Sequence, residues 1–172
     1  ISARAQGIRL ARAKLRYHTT DFSFVDAWLV RGREVWRLAN AISRANFFSE
    51  CTQSNKAILA RSCALLCRLL PPEEAHPKLF DAVISGFFAL AAALAEAEQR
   101  LPAMSAQARQ AGDIEILLAL RILYHLGYIG EPREFLSVAA SADFGIPELS
   151  SVAPLRRTLV SVINSSLRLS GL

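Results

Sequence analysis

The residues best suited to chemistry in this chain are its cations. Nine of the twenty Lys and Arg, namely Arg4, Arg9, Arg12, Lys14, Arg16, Arg31, Arg33, Arg37 and Arg44, fall within the first 45 of 172 positions. Only Asp21, Asp26 and Glu34 oppose them, so this end carries +6 while the remaining residues carry −1. Cations at this density attract polyanions, because each phosphate they neutralise releases condensed counterions and the summed field steers association. Arginine-rich surfaces also serve simply to keep a protein in solution. Three details favour binding: the charge is segregated, its bases run along a connector, and Trp28 lies near Arg33 and Arg37. An aromatic ring among arginines on an open sheet face is how OB-type barrels hold single strands. For Trp28, stacking on a base and packing against the rest of the chain are equally open. The expected nucleic-acid set is Arg4, Arg9, Arg12, Lys14, Arg16, Arg31, Arg33, Arg37 and Trp28.

Other chemistries find less support. Cys63 and Cys67 stand four apart on one helical face, but a metal site needs two further ligands at suitable spacing. They read as small buried core residues, and neither a metal nor a cofactor is expected. His18, His76 and His125 are scattered, without the paired spacing of a metal or catalytic motif. A phosphate contact is one role open to His18, and His76 opens a helix. Glu73-Glu74 and Glu96/Glu98 read as solvated helix ends, and neither a nucleophile elbow nor a phosphate-binding loop is written in the chain. With no site assembling, the chain is not expected to be an enzyme.

The elements that position the cations change character along the chain. Apolar residues make up 52% and charged residues 20%, which suits a packed globular protein and excludes general disorder. Ile1 to Gly7 alternates with the period of a strand. Ile8 to Tyr17 is a basic connector. Phe22 to Val30 and Arg33 to Ile42 read as a hairpin around Arg31-Gly32, with glycine expected to supply a positive φ. That register sets Asp26 against Arg37 as a cross-strand ion pair, and puts Val25, Ala27, Leu29, Trp36 and Leu38 on the inward face.

After Asn46 the period becomes helical. Helices are expected from Ser54 or Asn55 to Pro71, from Lys78 to about Arg100, from Asp113 to Gly127, from Pro132 to Ala142, and from Glu148 to Leu169, the last entered through Pro154. The longest uncharged run, Ala82 to Ala95, is too short to span a bilayer and reads as a buried helix. Without an opening apolar run that ends in a cleavage site, no signal peptide is expected, and three cysteines then point to reduced thiols in a cytoplasmic compartment.

Several phrases occur in a telling order. Ile1-Ser-Ala-Arg-Ala-Gln-Gly-Ile-Arg9, Ala13-Lys14-Leu15-Arg16 and Val30-Arg31-Gly32-Arg33-Glu34-Val35-Trp36-Arg37-Leu38 come first. Cys67-Arg-Leu-Leu-Pro71, His76-Pro-Lys-Leu-Phe80 and Leu120-Arg-Ile-Leu-Tyr-His-Leu-Gly-Tyr128 follow, and the chain ends Val162-Ile-Asn-Ser-Ser-Leu-Arg-Leu-Ser-Gly-Leu172. In type and order this resembles the RecO family of bacterial recombination mediators. The family's first barrel strands have no counterpart, so the start reads as a truncation within a domain. Where many members carry a four-cysteine zinc site, this chain has Ile129-Gly-Glu-Pro-Arg133 and resembles the zinc-free members.

The resemblance implies an α+β protein: the C-terminal half of an OB-type β-barrel over residues 1–45, then a helical bundle over 46–172. It implies a non-enzymatic DNA-repair protein that binds single- and double-stranded DNA, promotes annealing and aids recombinase loading. Its partners would be a RecR-like mediator and single-stranded-DNA-binding protein. The rival reading of the same residues is a helical interaction module whose basic hairpin binds an acidic protein.

Overall fold

In a computed structural model the described residues are 3–5, 14–33, 35–71, 74–95, 104–130, 135–169 and 171. The architecture is α+β. The chain forms two compact units, Ile1–Cys51 with Pro71–Glu74, and Thr52–Leu70 with Ala75–Leu172. The first unit therefore runs past residue 45 to Cys51.

That first unit holds strand β1 (Ala3–Arg4), a 3-10 turn (Lys14–Tyr17), strands β2 (Ser23–Arg31) and β3 (Trp36–Asn46), and the short helix α1 (Phe47–Glu50). The described strands form a three-stranded sheet in the order β1-β3-β2 and do not close a barrel. β1 runs parallel to β3, and β2 antiparallel to it. β2 is rich in aromatic and β-branched residues, which favour a pleated strand. At the far end of the hairpin Asn46 caps α1, its side chain accepting from the Ser49 N–H at 3.0 Å. His18 Nδ1 accepts from the Ser43 N–H at 3.4 Å, tying the turn region to β3.

The hairpin register differs from the one expected. Asp26 pairs with Ile42, Val30 with Arg37 and Arg31 with Trp36. Two causes combine. The loop spans Gly32 to Val35 rather than two residues, with the Gly32 N–H donating to the Val35 carbonyl at 3.0 Å. β3 then carries two bulges, where Ala39 and Arg44 are the unpaired extra residues. Asp26 accordingly meets Arg44 instead of Arg37, Arg44 Nε donating to its carboxylate at 2.7 Å. Gly32 is not in the positive-φ region. Its role is close approach, since a Cβ there would lie 2.7 Å from the Val35 carbonyl oxygen.

The second unit contains α2 (Gln53–Leu69), α3 (Pro77–Ala95), α4 (Met104–His125), α5 (Leu136–Ala140) and α6 (Ile146–Leu169). Thr52 caps α2, its hydroxyl accepting from the Asn55 N–H at 3.2 Å. α4 is the central helix. Ile114, Leu117, Leu118, Leu120, Ile122 and Leu123 are all fully buried, so apolar residues cover it on every side. It ends at Gly127 (φ +77°), where the Tyr128 N–H donates to the Leu123 carbonyl and the Gly127 N–H to that of Tyr124. That is the glycine stop read from the sequence.

Three expectations are corrected here. α4 begins at Met104, more than two turns before Asp113. The Ala, Gln and Arg residues of this stretch are strong helix formers, and Asp113 is not a cap but pairs with Arg156 of α6. α6 begins at Ile146 and carries Pro154 inside it. Cys67 is exposed and Cys63 half-buried, so neither is a core residue; Cys51 is the buried thiol. The inward stripe of α2 runs through Asn55, Ile58, Leu59, Ser62 and Leu69, and both cysteines lie off it.

A charge sits inside this apolar unit. Arg121 on α4 is 1% exposed. Its Nε donates to the Val138 carbonyl at 3.1 Å, its Nη2 to the Asp143 carbonyl at 2.7 Å, and the guanidinium lies 4.2 Å from the Phe144 ring centre. Burial pushes its pKa down to about 10, against the opposing pull of Glu148 and Asp143. It fastens the α5–α6 connection to the central helix.

Candidate nucleic-acid interface

Strand alternation and the observed register divide the sheet into two faces. One carries Val25, Ala27, Leu29 and Arg31 of β2 with Trp36, Leu38 and Ala41 of β3. The expected grouping of Val25, Ala27, Leu29, Trp36 and Leu38 on one side thus holds, although Ala27 is exposed and only Ala41 of this face is fully buried. The other face carries Phe24, Asp26, Trp28 and Val30 opposite Ala45, Ile42, Asn40 and Arg37.

That second face is open. Trp28 is 50% exposed, Val30 57% and Ile42 43%. At its β1 side, Arg4 and Arg37 are direct neighbours on parallel strands. Both are exposed, and with Ala5 and Val35 they line a cleft of about 390 Å³. Like charges set side by side across a ladder are unfavourable. No acid among the described residues forms an ion pair with either arginine, and a bound anion is the group that would relieve the repulsion. Arg44, on the same face, is different: Asp26 occupies its guanidinium and raises its pKa, chiefly through their hydrogen bond.

The remaining expected residues are dispersed. Arg31 points to the opposite face, its guanidinium carbon 5.7 Å from the Trp36 ring centre. Arg33 is exposed in the hairpin loop. Arg16 is exposed in the 3-10 turn that also contains Lys14, beside Tyr17, which is 75% exposed. Arg9 and Arg12 lie outside the described residues. The structure thus brings Arg4 and Arg37 together with Trp28 on one face, and puts Arg31 elsewhere. Sequence reading put Val30 on the outward side with Trp28, as their alternation indicates, but missed Ile42, which reaches the open face through the bulge at Ala39.

Among its described residues, the helical unit also offers concavities. A groove of about 390 Å³ between α2, α4 and α6 is lined by Leu65, Ile116, Ala119, Val160 and Ile163 and edged by the Arg61–Glu115 ion pair, 2.6 Å apart. A hollow of about 240 Å³ at the start of α3 is lined by His76, Lys78 and His125. Burial, Lys78 and Arg121 all push the His125 pKa below its usual value. Burial and its neighbour Cys67 push the Cys63 thiol up, so it is a poor thiolate. No group of three or more His, Cys, Asp or Glu among the described residues is placed to hold a metal. No described helix is long and apolar enough to cross a membrane. No family model, curated protein or solved structure matches this chain.

Proposed function

We propose that this chain is a DNA-binding recombination mediator of DNA repair, cytoplasmic and nucleoid-associated, whose first unit binds single- and double-stranded DNA. The observation that carries this reading is the Arg4–Arg37 pair lining a cleft on the face that exposes Trp28. Arginines hold phosphate oxygens without reading sequence, and an exposed indole offers a base a stacking surface of any identity. A parallel pair beside an antiparallel hairpin is compatible with the second half of a five-stranded OB barrel, which supports the resemblance to RecO. The helical unit would recruit a RecR-like mediator and single-stranded-DNA-binding protein, and the chain would aid annealing and recombinase loading without being an enzyme.

The apolar groove between α2, α4 and α6 favours a second reading, a helical protein-interaction module whose basic hairpin docks an acidic protein. A salt titration against single-stranded DNA separates them. Under the first reading, log affinity falls linearly with log salt, and Arg4→Ala with Arg37→Ala lowers the slope by about 0.7 per lost contact, equally for all sequences. Replacing Arg9, Arg12, Lys14 and Arg16 together should lower it by up to about 3. Affinity that ignores salt and all six substitutions sinks the DNA reading.

A further inference from the structure

Cys63 and Cys67 stand one turn apart on α2, a continuous helix from Gln53 to Leu69. Both are free thiols, Cys63 half-buried and Cys67 exposed. Side chains in a helix lean towards its N-terminus, so Cys67 leans over Cys63. The two sulfurs sense each other: burial first, and then negative charge at Cys67, push the Cys63 thiol up. No hydrogen bond among the described residues engages either sulfur. Ala60 and Ala64 are exposed on the same side of the helix, and their small side chains leave a clear approach from solvent.

We propose that Cys63 and Cys67 form a two-coordinate site for a soft monovalent cation, Cu(I), held between their sulfurs. Distance decides what two thiols one turn apart can do. Helix positions four apart have Cβ atoms about 5–6 Å apart, whereas a disulfide needs about 3.5–4.5 Å. Closing that bond would distort the turn. Metal–thiolate bonds of about 2.3 Å set two sulfurs on a linear ion about 4.6 Å apart, a span the side chains reach without moving the backbone. Coordination number then selects the metal. Zinc takes four ligands, and no group of three or more His, Cys, Asp or Glu among the described residues is placed to hold it. Thiolates favour Cu(I), whose filled d shell is satisfied by two of them in line. Binding forms two S–Cu bonds without a change of oxidation state and releases the Cys63 proton to solvent. The cation also offsets the repulsion between the two thiolates. The site lies in the helical unit and does not depend on the DNA reading of the first unit.

Anaerobic titration of the whole reduced chain with Cu(I), in competition with the coloured chelator bicinchoninate, tests this. The expected result is one equivalent of copper per chain withheld from the chelator, with ultraviolet absorption from thiolate-to-copper charge transfer. Cys63→Ser and Cys67→Ser should each abolish the withheld equivalent, because one thiolate lacks the second bond. Both positions lie off the inward stripe of α2, so the circular dichroism spectrum should be kept. A wild-type chain that withholds no copper overturns the proposal. So does either folded variant that withholds as much as the wild type, since the ion would then sit elsewhere. One copper per two chains, with a dimer in sedimentation, also overturns it, because the sulfurs would then be joined between molecules.

Discussion

Replacing Gly86 with alanine sets two effects of opposite sign against each other. In the middle of a helix, alanine is favoured over glycine by about 1 kcal/mol. At this position the added methyl meets neighbours that leave no room. Its Cβ would lie 2.5 Å from Leu118 Cδ2, 2.8 Å from Phe144 Cζ and 3.0 Å from Leu118 Cγ. Leu118 is 1% exposed, and Phe144 is held against the Arg121 guanidinium, so neither side chain has open space to enter. Overpacking a filled core costs about 1–3 kcal/mol, and two contacts below 3.0 Å place this case toward the upper end. The net expectation is destabilisation by about 1–2 kcal/mol, a fall in melting temperature of about 2–8 °C. Urea unfolding followed by circular dichroism measures it. A cycle with Leu118→Ala sharpens the test: that truncation should cost about 2–5 kcal/mol alone and at least about 1 kcal/mol less beside Gly86→Ala. If Gly86→Ala instead stabilises the protein by the full helix-propensity gain, α3 and α4 do not approach as closely as described.

Two further outcomes follow from single residues. Asn55 is 5% exposed and its Nδ2 donates to the Leu90 carbonyl at 2.8 Å, fastening α2 to α3; Asn55→Ala should cost about 1–2 kcal/mol in the same unfolding assay. His125 has a folded pKa below 6.5 because of burial first, then Lys78 and Arg121. Its contribution to stability is complete above pH 6.5 and is lost as the pH falls through the lower folded value, since the unfolded chain takes the proton first. His125→Gln should flatten the stability profile on the acid side of pH 6.5, and an unchanged slope there contradicts a depressed pKa.

The charge asymmetry, the switch from alternating to helical period after Asn46, the hairpin itself and the glycine stop of α4 were legible without any structure. Each depends on neighbours in sequence: charge is a sum over residues, periodicity needs only the local backbone, and Gly127 is favoured wherever a helix must end in a left-handed residue. The partition of β2 into two faces was legible for the same reason. The partner of each β2 residue was not. A longer loop and the bulge at Ala39 moved Asp26 from Arg37 to Ile42, within reach of Arg44, and a bulge records how two strands fit rather than what either contains. Arg37 lies beside Arg4 through a separate pairing of β3 with a strand more than thirty residues earlier, and that pairing forms the cleft at the centre of the proposed DNA site. Burial was likewise decided by packing. Arg121 has the composition of a surface residue and lies in the core because two backbone carbonyls and the Phe144 ring converge on it. Cys67 has the composition of a core residue and faces outward because the stripe of α2 that turns inward passes one position away. Local sequence specifies which elements form, whereas the place where a charge is buried or paired is set by groups distant along the chain, and only the tertiary structure brings those groups together.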